Sequence, residues 1–490
     1  MIQVSRSIIR QFRAVFKKSV GLHCQKSNHP PVVFKADANG LTVHAQHDGL
    51  AISVHVDGLP SAEQIVVPAR ALEDFEGRDQ TNVDLQYTTS TKILAHWTDR
   101  GVPREAEYEL SNSDKTSSLP TLADAFTKND VGLVKALDDA MNTVASDAVR
   151  YATNKIQLRG QKGEIVATDG RQLLWQSGFQ FPWSGELLVP RVKAFSCSEL
   201  ANEKFVAIGK TAAHVCVRVG AWTLFLPIDK EGRFPQIETV IPNRNSTTTH
   251  LHLDDKDVTF LAKTLPRLPG DEDTDSPITL DLNGHVAVRA RAQEQERATE
   301  AVLSRSQATG PTIRFATNRK HFSRALDLGF TEIHFVDADH PVLCNDERRK
   351  FVFVGLDKKA ALAPTNNDLR LASDVETSSI PQPPVERIQP TMKRTPPLAE
   401  PATIPTNGQH TNGQSTNGQT TNGETKSENG QHKAGNFAEL LEEAQAIQNL
   451  LRDLLLRTNQ FITGFKQHHR QTKAMRSTLA SLRQLQQIEV

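Results

Sequence analysis

The stretch of this 490-residue chain that comes nearest to a catalytic motif is Ile208-Gly-Lys-Thr. Gly-Lys-Thr ends the phosphate-binding loop of many nucleotide-hydrolysing proteins, in which backbone amides and the lysine hold phosphates; that loop also needs a glycine about six residues before the lysine. Lys204 occupies this position here, no GxGxxG or GxSxG motif occurs, and the four cysteines form no Cys-x-x-Cys pair. The sequence therefore predicts a non-catalytic protein that needs no metal or cofactor.

A second set of residues, near the start of the chain, is suited to binding phosphates. The basic side chains that share one face of a helix are Arg6, Arg10, Arg13 and Lys17. Ile9, Phe12 and Phe16 lie on another face and are expected to pack on a sheet. The chain as a whole has 57 basic and 57 acidic residues, which excludes binding to nucleic acid through overall charge. The stripe predicts local contact with phosphates; a merely solvated basic face is the alternative.

The elements that position this helix recur along the chain. A short strand runs into a helix three times, with helices expected over 5–18, 129–144 and 254–265. The expected N-cap residues are Ser5, Asn129 or Asp130, and Asp254 or Asp255. Two markers repeat roughly every 120 residues, a hairpin glycine and the end of a later strand. They are Gly40, Gly163 and Gly284, and Pro68, Pro190 and Ala316. Each copy continues with a hairpin, a strand, a short helix and another hairpin, which predicts an α+β fold of three tandem units.

Several motifs in these copies resemble one bacterial family. They are Val166-Ala-Thr-Asp-Gly-Arg-Gln-Leu, Leu188-Val-Pro-Arg, Glu231-Gly-Arg-Phe-Pro and Ile241-Pro in the second copy, and Val67-Pro-Ala-Arg with Asp74-Phe75 in the first. Together they resemble the sliding clamp, the DNA polymerase III beta subunit, over residues 1–358. The resemblance implies three clamp domains, 1–122, 123–246 and 247–358, each with two helices on curved antiparallel sheets. It also implies a head-to-tail homodimeric ring around double-stranded DNA, with no catalytic activity of its own.

The resemblance implies two sets of site residues. The helices would line the hole, so the candidate DNA contacts are Arg6, Arg10, Arg13 and Lys17, then Arg191 and Lys193, then Arg319, Lys320 and Arg324. The first helix of the second copy departs from this pattern, since Lys135 is accompanied by Asp138 and Asp139. This departure weakens the expected contact with DNA.

The family also has a groove that binds short peptides of DNA polymerases and clamp-loader proteins. By motif, its walls here would be Thr168, Gly170, Arg171, Gln172, Leu173, Pro242, Val342, Val354 and Leu356. The family's terminal Met-Pro-Met-Arg-Leu is replaced by Val354-Gly-Leu-Asp-Lys. Apolar groups are kept at Val354 and Leu356 but the proline and arginine are not, so peptide specificity is expected to differ. A plain hairpin and core strand are the alternative for these residues.

The last part of the chain has a different composition. Residues 359–435 are rich in Pro, Thr, Gln and Asn-Gly pairs, which predicts a disordered linker. Residues 436–490 contain no proline and carry apolar residues at heptad spacing, which predicts a long amphipathic helix and a possible coiled coil. Its partner would be a second copy of itself or an unknown protein.

Two functions follow as hypotheses. The first is a sliding clamp that encloses duplex DNA and tethers the replicative polymerase for processive synthesis. The alternative is a clamp-like paralogue that acts as a scaffold, assembled through its C-terminal helix. The absence of a signal-peptide pattern and of a long apolar run predicts a cytoplasmic location and no membrane partner.

Overall fold

A computed structural model describes residues 1–23, 29–57, 62–110, 118–147, 150–270 and 276–373, all within one compact unit, Met1–Glu376. Most of the predicted linker and the whole predicted C-terminal helix lie outside the described residues. No helix in the described ranges is long and apolar enough to cross a membrane.

The first repeat has two helices and eight strands. They are β1 (Ile2–Ser5), α1 (Arg6–Lys18), β2 (Val32–Asp37), β3 (Gly40–His47), β4 (Leu50–Val56), β5 (Glu63–Val67), α2 (Leu72–Phe75), β6 (Asn82–Tyr87), β7 (Lys92–Asp99) and β8 (Val102–Glu109). The predicted helix 5–18 is confirmed, because the Ser5 side chain accepts a hydrogen bond from Ser7 N and so caps α1.

The second repeat has the same order of elements. They are β9 (Phe126–Asn129), α3 (Gly132–Met141), β10 (Lys155–Arg159), β11 (Glu164–Thr168), β12 (Gln172–Gln176), β13 (Glu186–Pro190), α4 (Ser198–Ala201), β14 (Val206–Lys210), β15 (His214–Val219) and β16 (Trp222–Pro227). The helix α3 is shorter than predicted at both ends. Lys210 and Thr211 lie at the end of β14, so the Gly-Lys-Thr sequence belongs to a hairpin.

The third repeat adds one short strand to the same order. Its elements are β17 (Thr249–His252), α5 (Asp255–Thr264), β18 (Pro277–Leu282), β19 (Val286–Ala290), β20 (Thr299–Leu303), β21 (Gln307–Thr309), β22 (Arg314–Asn318), α6 (Arg319–Asp327), β23 (Glu332–Phe335), β24 (Val342–Asn345) and β25 (Arg349–Phe353). Asp254 caps α5 by accepting from Lys256 N at 2.9 Å, as the sequence predicts.

Each repeat contributes two half-sheets of four strands, to which β21 adds a fifth strand in the third repeat, and neighbouring repeats join their half-sheets edge to edge. One eight-stranded sheet has the order β5-β2-β3-β4-β16-β15-β14-β9, and a nine-stranded sheet has the order β13-β10-β11-β12-β25-β24-β23-β17-β21. The antiparallel pairs β4–β16 and β12–β25 are therefore the junctions between repeats. Two half-sheets remain outside these junctions, β1-β6-β7-β8 in the first repeat and β22-β18-β19-β20 in the third.

Apolar side chains fill the space between the half-sheets and the helices. One buried cluster runs through the first and second repeats and includes Phe12 and Phe16 of α1. A second fills the third repeat. The predicted packing face of α1 is thus confirmed, and burial of these aromatic side chains, each about 1.5 to 3 kcal/mol, fixes the helix on its sheet.

The ordered chain continues beyond the predicted end of the third repeat. Residues 359–373, predicted as linker, pass over the third repeat and form β26 (Leu369–Ala372), which pairs with β20. Composition alone did not predict that this segment is ordered, because its order depends on a few contacts with the third repeat. Leu362 N donates to Thr279 Oγ1 at 2.9 Å, and Arg370 forms an ion pair with Glu300 at 2.7 Å.

Candidate functional site

The basic residues of α1 share a helix face but differ in their surroundings. Arg6 was predicted to contact DNA, yet it is only 3% exposed. Its guanidinium donates to the backbone oxygens of Phe75, Glu76 and Thr98 at 2.9 to 3.2 Å. It also pairs with Asp79 at 3.0 Å and Asp99 at 2.9 Å. With its donors occupied and its side chain buried, Arg6 holds α1 against α2 and β7 and presents no charge to a phosphate.

Arg13 and Lys17 are partly neutralised by the first repeat itself. Arg13 pairs with Glu73 and, at 2.7 Å, with Glu76, while Lys17 lies 3.4 Å from Glu73. The hydrogen bond from Arg13 lowers the pKa of Glu73 below its ordinary value. Lys17 is nevertheless half exposed, so it keeps access to a ligand that Arg13 has largely lost.

A basic surface, formed by Arg10, Lys17, Lys18, Arg191 and Lys193, lies at the junction of the first two repeats. Arg10, Lys18 and Lys193 are exposed, and Lys18 Nζ donates to Ser196 Oγ at 3.3 Å. Arg191 and Lys193 also line a cleft of about 480 Å³ together with Lys155. In the described part of the chain, Arg10 has no carboxylate partner. Sequence analysis missed Lys18, although it lies two helical turns beyond Arg10.

In the third repeat, the three predicted DNA contacts also differ in whether their charge is exposed. Lys320 is exposed near the start of α6. Arg319 donates to the backbone oxygens of Leu268, at 2.7 Å, and Pro269. Arg324 donates to Asp139 O at 2.9 Å and lies 3.3 Å from its carboxylate. Arg319 therefore closes a loop of its own repeat, and Arg324 joins α6 to α3, so neither is free for a phosphate.

The acidic residues of α3 take part in this same contact. Asp139 is buried and pairs with Lys135 at 2.8 Å as well as with Arg324. Burial, with the neighbouring charge of Asp139, raises the pKa of Asp138. Of the two carboxylates that sequence analysis counted against a DNA-facing helix, Asp139 is thus used in the contact between repeats two and three.

The predicted peptide groove begins with a rigid turn between β11 and β12. Gly170 has φ +88°, a left-handed conformation that favours glycine. Gly170 N donates to Thr168 Oγ1 at 3.0 Å, which in turn donates to Gln172 O at 2.7 Å. Asp169 accepts from the backbone amides of Arg171 and Gln172. These bonds hold Thr168, Gly170, Arg171 and Gln172 in one fixed shape at the end of the hairpin.

Beside this turn lies an apolar cluster on the outer face of the nine-stranded sheet. Leu173 is 3% exposed and packs with Val166, Ile237, Leu343 and Val352. Ile241, which precedes the half-buried Pro242, packs on the same cluster. Leu173 is therefore the base of the surface and not an open wall of it.

The last residues of the third repeat form the other side. Val354 N donates to Arg171 O at 3.0 Å, and Leu356 N donates to Ala316 O at 2.7 Å. Val354 and Leu356 are half-buried, so each keeps some apolar surface exposed. The contacts place Val354 beside Arg171, whereas Leu356 lies two residues further on beside Ala316.

Val342 was placed in the groove by the sequence, and the structure corrects this. It is fully buried and belongs to the core cluster of the third repeat. Successive residues of a strand point to opposite faces, and the neighbour on the outer face is Leu343. The groove assignment from the sequence was thus wrong by one residue along the strand, since Leu343 and not Val342 lies on the outer face.

Among the described residues, no cluster of three or more His, Cys, Asp or Glu side chains could hold a metal ion. Cys197, Cys216 and Cys344 are buried. Burial raises the pKa of Cys197 to about 11, so its thiolate form is disfavoured at neutral pH.

The fold is similar to that of several solved bacterial proteins. The DNA polymerase III subunit beta of Pseudomonas aeruginosa is 20% identical, with a TM-score of 0.59 over 72% of this chain and 99% of that one. The sliding clamp of Bartonella birtlesii is 18% identical, with a TM-score of 0.61 over 72% and 98% of the two chains. The beta subunit of Thermotoga maritima is 14% identical, with a TM-score of 0.58 over the same shares.

Neither a protein-family model nor a curated protein sequence matches this chain. The structural likeness covers nearly the full length of the solved clamps. It confirms the predicted α+β clamp-like fold, and the repeated order of elements is consistent with three tandem units.

Proposed function

We propose that this chain is the subunit of a ring that encloses duplex DNA and holds a DNA polymerase on it. The observation that carries the proposal is the rule by which the repeats join. The last strand of one repeat pairs with an edge strand of the repeat before it, as β16 with β4 and β25 with β12. Two corresponding strands take part in no junction between repeats of the chain. They are β20, the counterpart of β4 and β12, and β8, the counterpart of β16 and β25. Two chains joined by the same rule would close a ring of six repeats.

The helices follow a matching rule along one side of the chain. The first helix of each repeat meets the second helical segment of the next. Cys197 Sγ, just before α4, lies 3.9 Å from Ala14 O of α1, and Arg324 of α6 contacts Asp139 of α3. The basic surface adjoins such a helix contact and, in the proposed ring, would face the enclosed DNA. Exposed lysine and arginine side chains on such a surface suit contacts with phosphates, which do not depend on the DNA sequence.

The neighbours described above are named DNA polymerase III subunit beta and sliding clamp, which supports this proposal by analogy of fold. The groove around Arg171, Val354 and Leu356 would then bind peptides of polymerase or clamp-loader proteins. An apolar surface with a fixed polar rim suits an extended peptide with apolar anchors.

Retention on plasmid DNA tests the enclosure. The full chain, with whatever loader it requires, is assembled on a nicked circular plasmid and separated from free protein by gel filtration. The plasmid is then linearised by a single cut. Topological enclosure predicts retention on the circle and release from the line, because the weak phosphate contacts allow sliding off an end. Equal retention on both forms would overturn the ring and favour the scaffold alternative.

A further inference from the structure

The edge of β20 is already occupied in the single chain. By the junction rule this edge corresponds to the edges of β4 and β12, each of which pairs with a strand of another repeat. Here β26 pairs with it instead, in parallel register, with Thr299 opposite Leu369 and Val302 opposite Ala372. Leu369 N donates to Ala298 O at 2.9 Å and Ser373 N to Val302 O at 3.2 Å. The outer backbone groups of β20 are therefore used by the chain's own extension.

The extension also completes a buried set of charges on the third repeat. Arg289 of β19 is 0% exposed and pairs with Asp281 and Glu300 on the strands beside it. The extension adds Arg370, 2.7 Å from Glu300, and Asp368, whose carboxylate lies 3.7 Å from Arg289. Burial alone would raise the pKa of Glu300, but the hydrogen bond and charge of Arg289, with the charge of Arg370, lower it. These pairs fix the position of β26 on β20.

We propose that β26 is an intramolecular cap on the edge that a second copy of this chain needs in order to close the ring. The inference rests on the proposed ring. A strand edge offers one row of amides and carbonyls, so β26 and the β8 strand of a second copy exclude each other. Ring closure then requires β26 to leave β20.

The dimensions of the two strands make such an exchange feasible. The cap β26 has four residues, and its Leu369 and Leu371 remain 60% and 38% exposed, so its docking buries little apolar area. The competing strand β8 has eight residues and lies at the edge of its sheet. By the junction rule it would pair antiparallel, the more stable arrangement per residue. The tether favours β26 at low protein concentration, and β8 at high concentration.

Two substitutions in the full-length chain test the cap. Arg370→Glu places a carboxylate against Glu300, and Leu371→Pro puts a residue without an N–H in the middle of β26. Lys359→Glu is the matched control, because it makes the same charge change at an exposed site of the same extension outside β26. Sedimentation equilibrium over a range of concentrations gives the dimer dissociation constant. We expect both cap variants to dimerise at least about tenfold more tightly than the wild type and the control.

Hydrogen exchange of the wild-type dimer gives the second readout. Displacement predicts that amides of 369–373 become exchangeable in the dimer while those of 299–303 stay protected. Persistent protection of both segments, or equal dissociation constants for wild type and cap variants that do dimerise, would overturn the cap and leave the ring standing. If all variants remain monomeric up to about 100 µM, the ring itself fails and the cap fails with it.

Discussion

Four basic residues on one face of α1 have three different surroundings. Arg6 is buried and donates to three backbone carbonyls, Arg13 is paired with two glutamates, and Arg10 and Lys17 remain exposed. Helical spacing reports only which residues share a face. Whether that face meets a loop, a carboxylate or solvent depends on α2 and β7, which are distant in sequence. The number of basic groups on α1 that are accessible to a phosphate is therefore smaller than its number of basic residues.

The role assigned to Arg6 predicts a loss of stability on its removal. Arg6→Ala leaves the backbone oxygens of Phe75, Glu76 and Thr98 without this donor. The free energy of unfolding is expected to fall by about 1.5 to 3 kcal/mol, the usual range for hydrogen bonds to a charged group. Urea unfolding followed by fluorescence measures it. Arg10→Ala is the control and should change it by less than about 0.5 kcal/mol; equal effects of the two changes would contradict the structural role of Arg6.

A second buried group, His44 of β3, predicts the response of stability to acid. Burial, with a smaller effect from the charge of Lys35, lowers the pKa of His44 from 6.5 to about 4. Because the folded-state value lies below the unfolded one, protonation favours unfolding. This contribution is therefore complete above pH 6.5 and is lost as the pH falls towards 4. At pH 5 the loss is about 2 kcal/mol relative to pH 7.

Unfolding by urea at pH 7 and pH 5 measures this difference. His44→Gln, which does not titrate, should reduce it, whereas His55→Gln, at an exposed histidine of β4, should leave it unchanged. If the His44 variant keeps the wild-type pH dependence, another group is responsible.

At the scale of elements, the groove depends on where each strand presents its side chains. The sequence motif correctly predicts that the Thr168–Leu173 hairpin adjoins the final strand, because β12 pairs with β25. It misplaces Val342, since a register error of one residue turns a side chain to the other face of the sheet. It also treats Leu173 as an exposed wall, although Ile237 and neighbouring apolar residues pack on it. Leu173→Asp would therefore destabilise the sheet as well as the groove.

A milder change at the exposed side of the groove is the sharper test. Leu356→Ala removes apolar surface that a peptide anchor would cover, at a cost of about 1 to 1.5 kcal/mol, or roughly tenfold in dissociation constant. Fluorescence anisotropy of a labelled extended peptide with two leucine anchors measures it. Leu369→Ala, which removes an equally large apolar side chain from β26, should have no effect. Similar weakening by both variants would locate the peptide elsewhere.

Much of the architecture was accessible from the sequence, for physical reasons. Hairpin glycines at Gly40, Gly163 and Gly284 all have positive φ, and the helix caps Ser5 and Asp254 act as predicted. These are local signals. The order of 359–373 was not accessible, because it depends on Thr279, Arg289 and Glu300, which belong to a different part of the chain. Composition alone could not report those contacts.

At the scale of the whole molecule, charge is distributed so that the proposed binding to DNA would be local. The chain has no net charge, and carboxylates of its own repeats neutralise Arg6, Arg13 and Arg324. The cations that remain exposed at the first junction are Arg10, Lys17, Lys18 and Lys193. Few contacts of this kind favour weak, salt-sensitive binding. A ring would supply the persistence that such contacts lack.

This division of roles predicts how salt acts on binding. A variant with Arg10→Ala, Lys18→Ala and Lys193→Ala should bind a short linear duplex more weakly and with a smaller salt dependence. Each lost phosphate contact lowers the slope of log affinity against log salt by about 0.9. Anisotropy of a labelled duplex at several salt concentrations measures the slope. Lys162→Ala, in the turn between β10 and β11, is the control and should leave it unchanged. Retention on a closed circle should fall less than affinity for the short duplex, because enclosure does not depend on those charges. An unchanged slope in the triple variant would show that this surface does not contact phosphates.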